Sequence, residues 1–268
     1  MSSAPSSLHR PFDEAPARAS LRGRGPGPRA FDFVSRGDFV SGRLEAPDAS
    51  GASETPLVLV LHDTASGADA PGLDFTSDWA AEGFAVARID LPLHGRRQSP
   101  KLSERLVTGY RDLARGEPLD ANTRALVQEF ARQSVSDIVR ACQALGATDG
   151  VDATRIALVG LGIGACACAW AAPHVPSLLA CVLAGGVGEF KDAMLDPAGR
   201  IGTGDGGAPA YRLHARDDDV PPTAVAALAK ALPDGAEAAH LKSSGVEGGL
   251  APPDAEDVRA FLASTLSR

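Results

Sequence analysis

The sequence predicts an α/β protein built on a doubly wound, mostly parallel sheet. Three observations predict it. Pro56-Leu-Val-Leu-Val-Leu61 is a continuous apolar run, the pattern of a strand covered on both faces. Strand-like and helix-like segments alternate from there to the C-terminus. Hydrophobic residues are 44% and charged residues 22% of 268, enough to bury a sizeable core in one domain.

The elements follow in order. Residues 1–28 are rich in Ser, Pro, Ala, Gly and Arg, as in Leu21-Arg-Gly-Arg-Gly-Pro-Gly-Pro28, and are expected to form a disordered arm before a domain spanning 29–268. Phe31-Asp-Phe-Val-Ser35 alternates apolar and polar residues as a half-buried strand does, and Gly37-Asp38 reads as a hairpin turn into a second strand at Phe39-Val40. After the apolar strand at 56–61, Phe75 to Glu82 reads as a helix stopped by Gly83. Phe84-Ala-Val-Ala-Arg-Ile-Asp90 is the next strand. A polar stretch from Arg96 to about Ala121 carries helical pieces. Asn122 to Leu145 is a strong amphipathic helix with Asn122 as its cap. Strands are then expected at Arg155 to Gly160, Leu178 to Ala184, Tyr211 to His214 and Ala236 to Leu241. A helix through Trp170, another over Pro222 to Leu232 and a closing one from Asp254 to Leu266 complete the pattern. In such sheets the ligand site lies beyond the carboxyl ends of the strands.

Composition narrows the function. The formal net charge of −8 argues against nucleic acid or an anionic membrane as the main partner. With 5% aromatics, a base-stacking platform is not expected. No apolar run is long enough to span a bilayer, and no apolar signal segment precedes the first charges. Cys142, Cys166, Cys168 and Cys181 sit in alanine-rich surroundings without metal-ligand spacing. They read as small buried residues in a reducing compartment, so the expected location is the cytoplasm.

The motifs lie at the predicted strand ends. Strand 56–61 runs into His62-Asp63. Strand 84–90 runs into Asp90-Leu-Pro-Leu-His-Gly95. Leu213-His-Ala-Arg-Asp-Asp-Asp-Val-Pro-Pro222 follows the strand ending at His214. In order and spacing these pieces resemble the oxyanion loop, the Asp-x-Pro-x-His-Gly turn and the acid loop of α/β-hydrolases, in particular the dienelactone-hydrolase-like and acyl-peptidase-like esterases. The resemblance runs from about Phe31 to the C-terminus and implies the α/β-hydrolase fold; function has to be argued from the site.

At the site the sequence departs from that pattern. The resemblance implies a Gly-x-Ser-x-Gly turn between a strand and a helix. The matching stretch is Val159-Gly-Leu-Gly-Ile-Gly-Ala165, with Gly162 at the nucleophile position. Glycine suits a strained turn but supplies no oxygen or sulfur for an acyl-enzyme. The backbone N–H of Ile163 can still serve as half of an oxyanion hole. The acid is expected at Asp217, by spacing to Val220-Pro221, or at Asp218, by spacing from His214. The histidine position falls in Ser243-Ser-Gly-Val-Glu-Gly-Gly249, where Glu247-Gly248 replaces His-Gly; His240 lies earlier, inside the expected last strand. A carboxylate cannot replace an imidazole held by an aspartate.

Two rival readings arise from the same residues. Gly160-x-Gly162 with Ala165 resembles a dinucleotide-binding turn, but no acidic residue closes the next strand near Ala184 to hold a ribose, so no cofactor is expected. His62, His94 and His214, with Asp63 and Asp90, gather at one sheet edge. They match positions that brace loops in metal-free hydrolases, so no metal is expected either. The leading expectation is a triad-deficient protein that binds an ester-, lactone- or acyl-like ligand without turnover, or serves in protein interaction. His62, Asp63, Ile163 and His94 would line its pocket, and Gly185 to Pro209 its rim. The alternative is an active esterase- or lactonase-like hydrolase, or a lyase, using displaced residues.

Overall fold

The computed structural model describes residues 17–23, 27–47, 54–64, 66–185, 210–214, 237–239 and 249–267. Its centre is a nine-stranded sheet. The strands are β1 (Ser20–Arg22), β2 (Arg29–Ser35), β3 (Asp38–Glu45), β4 (Thr55–Leu61), β5 (Ala85–Ile89), β6 (Val151–Leu161), β7 (Leu178–Ala184), β8 (Ala210–His214) and β9 (Glu237–Ala239). They lie in the order β1-β2-β3-β5-β4-β6-β7-β8-β9. Every pairing from β5 to β9 is parallel, while β1, β2 and β3 add an antiparallel edge.

Burial explains why the parallel strands read as unbroken apolar runs. In β4, Leu57, Leu59 and Leu61 enter one core, while Val58 and Val60 enter the other; all five are fully buried. The first core is closed by helices α2 (Pro100–Ala114), α3 (Ala121–Gly146) and α4 (Ile163–Ala171). The second is closed by α1 (Phe75–Ala81) and α5 (Pro252–Leu266), through Trp79, Val258, Leu262 and Leu266. Among the described residues no helix is long and apolar enough to cross a membrane.

Several expectations need correction. The segment 1–28 is not a uniform arm. Ser20–Arg22 pairs antiparallel with β2, Leu21 opposite Phe31, and Ala17 is buried. A sheet edge offers main-chain donors and acceptors, so a strand can add there with little apolar side chain of its own. Residues 1–16 lie outside the described residues. The hairpin turn is Arg36-Gly37, both at positive φ (51° and 84°), with Ser35 opposite Asp38. The second strand runs on to Glu45 because β5 covers its far side. The cap of α3 is Asp120, not Asn122. Its carboxylate accepts from Asn122 N (2.8 Å) and Thr123 N (3.1 Å), with extended backbone at the cap itself. The helical pieces expected after Arg96 join into α2, begun by Pro100 at a position where its missing N–H costs nothing. The helix expected over 222–232 and the rim over 186–209 lie outside the described residues.

The chain leaves β4 to build β5 on one side and later returns to build β6 on the other. β4 is thus where the winding reverses. In sheets of this kind that reversal, at the carboxyl ends of β4 and β6, is where a ligand site is expected.

Candidate functional site

Those two loops carry the predicted residues. β6 ends at Leu161, and the chain turns at Gly162 into α4. Gly162 has φ +52° and ψ −115°, a conformation that favours glycine, and its N–H donates to Ala184 O at 2.7 Å. The flanking glycines serve close approach. A Cβ on Gly164 would lie 2.6 Å from the carbonyl oxygens of Leu61 and His62, and one on Gly160 would strike the backbone of Gly164. The Gly-x-Gly-x-Gly pattern is therefore what lets β6, α4 and the β4 loop meet.

Asp63 takes a place its sequence position alone does not announce. Its carboxylate fills the volume directly over Gly162, and a Cβ on that glycine would overlap Oδ1. Thr64 holds the same oxygen through its N–H (2.6 Å) and Oγ1 (3.0 Å). The side-chain space of the turn is therefore occupied from the opposite loop.

His62 and His94 come together behind Asp63, ring centroids 5.2 Å apart. His62 Nε2 accepts the Leu91 N–H at 3.1 Å, so its Nδ1 carries the proton and donates to Asp63 O at 2.8 Å. Burial, followed by the charge of His94, pushes its pKa down to about 4. His62 is thus a neutral clamp between the β4 and β5 loops. His94 is 1% exposed and packs against Phe130 at 5.9 Å. Its Nδ1 donates to Pro92 O at 2.8 Å, and among the described residues its Nε2 has no hydrogen-bond partner. Burial lowers its pKa as well. Asp90 organises the neighbouring loop by accepting from Ala68 N (2.8 Å) and Arg96 N (3.1 Å), and a side chain on Gly95 would overlap it.

Acid stability should report the His62 clamp. The unfolded histidine titrates near 6.5 and the folded one near 4, so the unfolded chain binds more protons between those values. Stability is full above the unfolded pKa and is lost as pH falls through that window, by roughly 3 kcal/mol. His62→Gln should flatten this part of a urea-midpoint profile. A variant profile parallel to wild type between those pH values would remove His62 as the responsible group.

The structure brings together His62, Asp63, His94, Gly162 and Ile163. Asp217, Asp218, Glu247 and His240 lie outside the described residues. His214 ends β8, in register with Ala184. Three of the four ring nitrogens of His62 and His94 are engaged in holding the loops. Among the described residues no three His, Cys, Asp or Glu side chains are grouped as a metal would need. Sequence reading missed Tyr110, whose hydroxyl donates to Gly185 O at 3.1 Å and ties α2 to the end of β7; a lone tyrosine in an amphipathic helix gives no such signal. A separate groove of about 700 Å³ lies between α1 and α5, lined by Phe75, Asp78, Trp79 and Arg259 among others, and none of the turn residues borders it.

With this geometry in place, comparison with solved structures defines the class. Acetyl xylan esterase 1 from Thermoanaerobacterium superposes with a TM-score of 0.68 at 13% identity, over 96% of this chain and 90% of that one. A cold-adapted esterase from an Arctic intertidal metagenomic library gives 0.66 at 16% identity, over 92% and 99%. The acylaminoacyl peptidase of Pyrococcus horikoshii gives 0.63 at 13% identity, over 91% of this chain and 41% of that longer one. The chain has the α/β-hydrolase fold. No protein-family profile and no curated protein matches it.

Proposed function

We propose that this protein is a non-catalytic member of the hydrolase fold, kept for binding a small ester- or acyl-like ligand or for protein interaction. In this reading Gly162 stands at the nucleophile position, Glu247 at the histidine position, and Asp217 or Asp218 is the retained acid. The observation that carries it is the Asp63 carboxylate seated over Gly162. The turn lacks a hydroxyl or thiol, and the room for one is taken. The loop framework around the filled turn is kept, through His62, Asp90 and the three glycines, which supports a site retained for a role other than acyl transfer. Cys142, Cys166, Cys168 and Cys181 are all buried, and burial pushes the Cys142 thiol up to about 12 and the Cys168 thiol up as well, which fits small packed residues in a reducing, cytoplasmic setting.

A second reading, a hydrolase or lyase with displaced residues, is favoured by one observation: among the described residues the Nε2 of His94 has no hydrogen-bond partner. An activated alkyl phosphonate separates the two. Intact mass after incubation should show no stoichiometric adduct, and a panel of short-chain esters should show no turnover. An adduct on a serine near the turn, or turnover abolished by His94→Phe, would overturn the non-catalytic reading.

A further inference from the structure

We propose that the groove between α1 and α5 receives an extended, basic segment of a partner protein, in which an apolar side chain sits between two lysines or arginines. The groove is apart from the turn at Gly162, and the proposal stands whether or not that turn is catalytic. Its volume of about 700 Å³ is that of a ligand-sized site. The floor is apolar. Phe75 is half-buried and packs its ring against the buried Trp79, centroids 4.8 Å apart, and Leu250 and Ala255 continue the lining on the α5 side. An apolar side chain laid there is removed from water, which favours its binding.

The walls select the charge of the occupant. Among the described residues the lining carries four carboxylates, Asp74, Asp78, Glu82 and Glu256, against the single guanidinium of Arg259. That cation is already used: it bridges Glu82 on one wall and Glu256 on the other. Asp74 and Asp78 are exposed and have no ion pair among the described residues. An anionic segment would meet like charge, whereas a cationic one complements the wall. The carboxylates are strung out along it. No three His, Cys, Asp or Glu side chains among the described residues are grouped as a metal would need, so the complement is a row of charges and not one ion.

Their spacing fixes the pattern of that row. Asp74 caps α1 with helical backbone angles (φ −64°, ψ −24°), so Asp78 follows it by one i,i+4 step. Four residues of helix advance about 6 Å. An extended chain presents every second side chain on one face, about 6.6 Å apart. Basic residues two apart thus meet Asp74 and Asp78. The residue between them turns away from that wall, toward the apolar lining at Leu250 and Pro252.

Four capped pentapeptides test this with the full-length protein. The parent is acetyl-Gly-Lys-Leu-Lys-Gly-amide. The others replace both lysines by glutamate, replace the leucine by serine, or move the leucine outside the pair as Gly-Leu-Lys-Lys-Gly. Kd values come from protein-observed NMR titration at neutral pH. The parent should bind about tenfold tighter than the glutamate peptide and about threefold tighter than the other two. Its advantage over the glutamate peptide should shrink as ionic strength rises. Asp74→Asn with Asp78→Asn, both at exposed positions, should weaken the parent about fivefold. Glu104→Gln with Glu117→Gln removes the same charge in and just after α2, across the sheet from the groove, and should leave the Kd unchanged. Equal weakening by the two pairs of substitutions would reduce the effect to the chain's net charge of −8 and overturn the groove as the site. A serine peptide that binds as tightly as the parent overturns the apolar anchor, and a displaced-leucine peptide that does so overturns the extended alternation. No saturable binding of the parent overturns the proposal outright.

Discussion

Gly162→Ser combined with Glu247→His is expected to give no esterase activity while Asp63 remains, and the triple variant that adds Asp63→Gly is expected to give it. The reason is steric before it is chemical. A serine Cβ at position 162 would overlap the Asp63 carboxylate, so the carboxylate or the turn has to move. Serine at φ +52° and ψ −115° also costs roughly 1–3 kcal/mol of backbone strain, which nucleophile turns of this kind sustain only when the surroundings hold them. Removing the Asp63 side chain restores the space and takes a negative charge away from where a tetrahedral oxyanion would form. Nucleophile and base act as a unit, so the single changes should do little and the effects should be far from additive. On a short-chain nitrophenyl ester the triple variant should exceed the double by about tenfold or more; the gain is capped because the supporting shell has not been selected for the task. A folded triple variant no faster than the double would mean that Asp63 is not the obstruction. A double variant already active would mean that Asp63 swings aside freely.

How much of this was legible follows from the kind of interaction involved. The parallel strands β4, β6 and β7 stood out because burial on both faces forces unbroken apolar runs. The turn at Gly162 stood out because close approach of β6, α4 and the β4 loop forces glycine at 160 and 164. The bracing of loops by His62 and His94 was readable from motif order. The placement of Asp63 was not. The aspartate that follows His62 and the absence of serine at 162 look like independent features in sequence, and only their apposition shows one side chain filling the space another would need. β1 was missed for a different reason. Main-chain pairing at a sheet edge leaves little trace in composition, and Pro- and Gly-rich flanks masked it. The cap of α3 shifted by two residues because both Asp120 and Asn122 are capping types and only the backbone angles at Asp120 distinguish them.

Glu45→Ala should be among the most destabilising single substitutions on the antiparallel side of the sheet, at about 3–5 kcal/mol. Sequence shows an arginine, Arg88, inside the apolar strand 84–90, which requires an internal partner but does not name it. The structure supplies Glu45 from β3. Its Oε1 accepts from Arg88 Nη2 at 2.5 Å, with the side chains 9% and 8% exposed. The other carboxylate oxygen accepts from Ser77 Oγ of α1 at 2.6 Å, so the pair joins β3, β5 and α1. With Glu45 truncated, the guanidinium stays buried, and among the described residues it keeps a long 3.4 Å hydrogen bond to Leu73 O and the more distant charge of the half-exposed Asp69. The guanidinium is then a largely uncompensated charge, and its desolvation is the main cost. Replacing both partners by apolar residues of similar volume, Glu45→Leu with Arg88→Met, removes the charge along with its partner and should recover most of the loss. The measurement is a double-mutant cycle on urea unfolding. A double variant as unstable as Glu45→Ala would show that packing lost at Glu45, and not an orphaned Arg88, sets the cost. A Glu45→Ala loss below about 1 kcal/mol, the range of exposed pairs, would show that water reaches the arginine and the pair is not buried in solution.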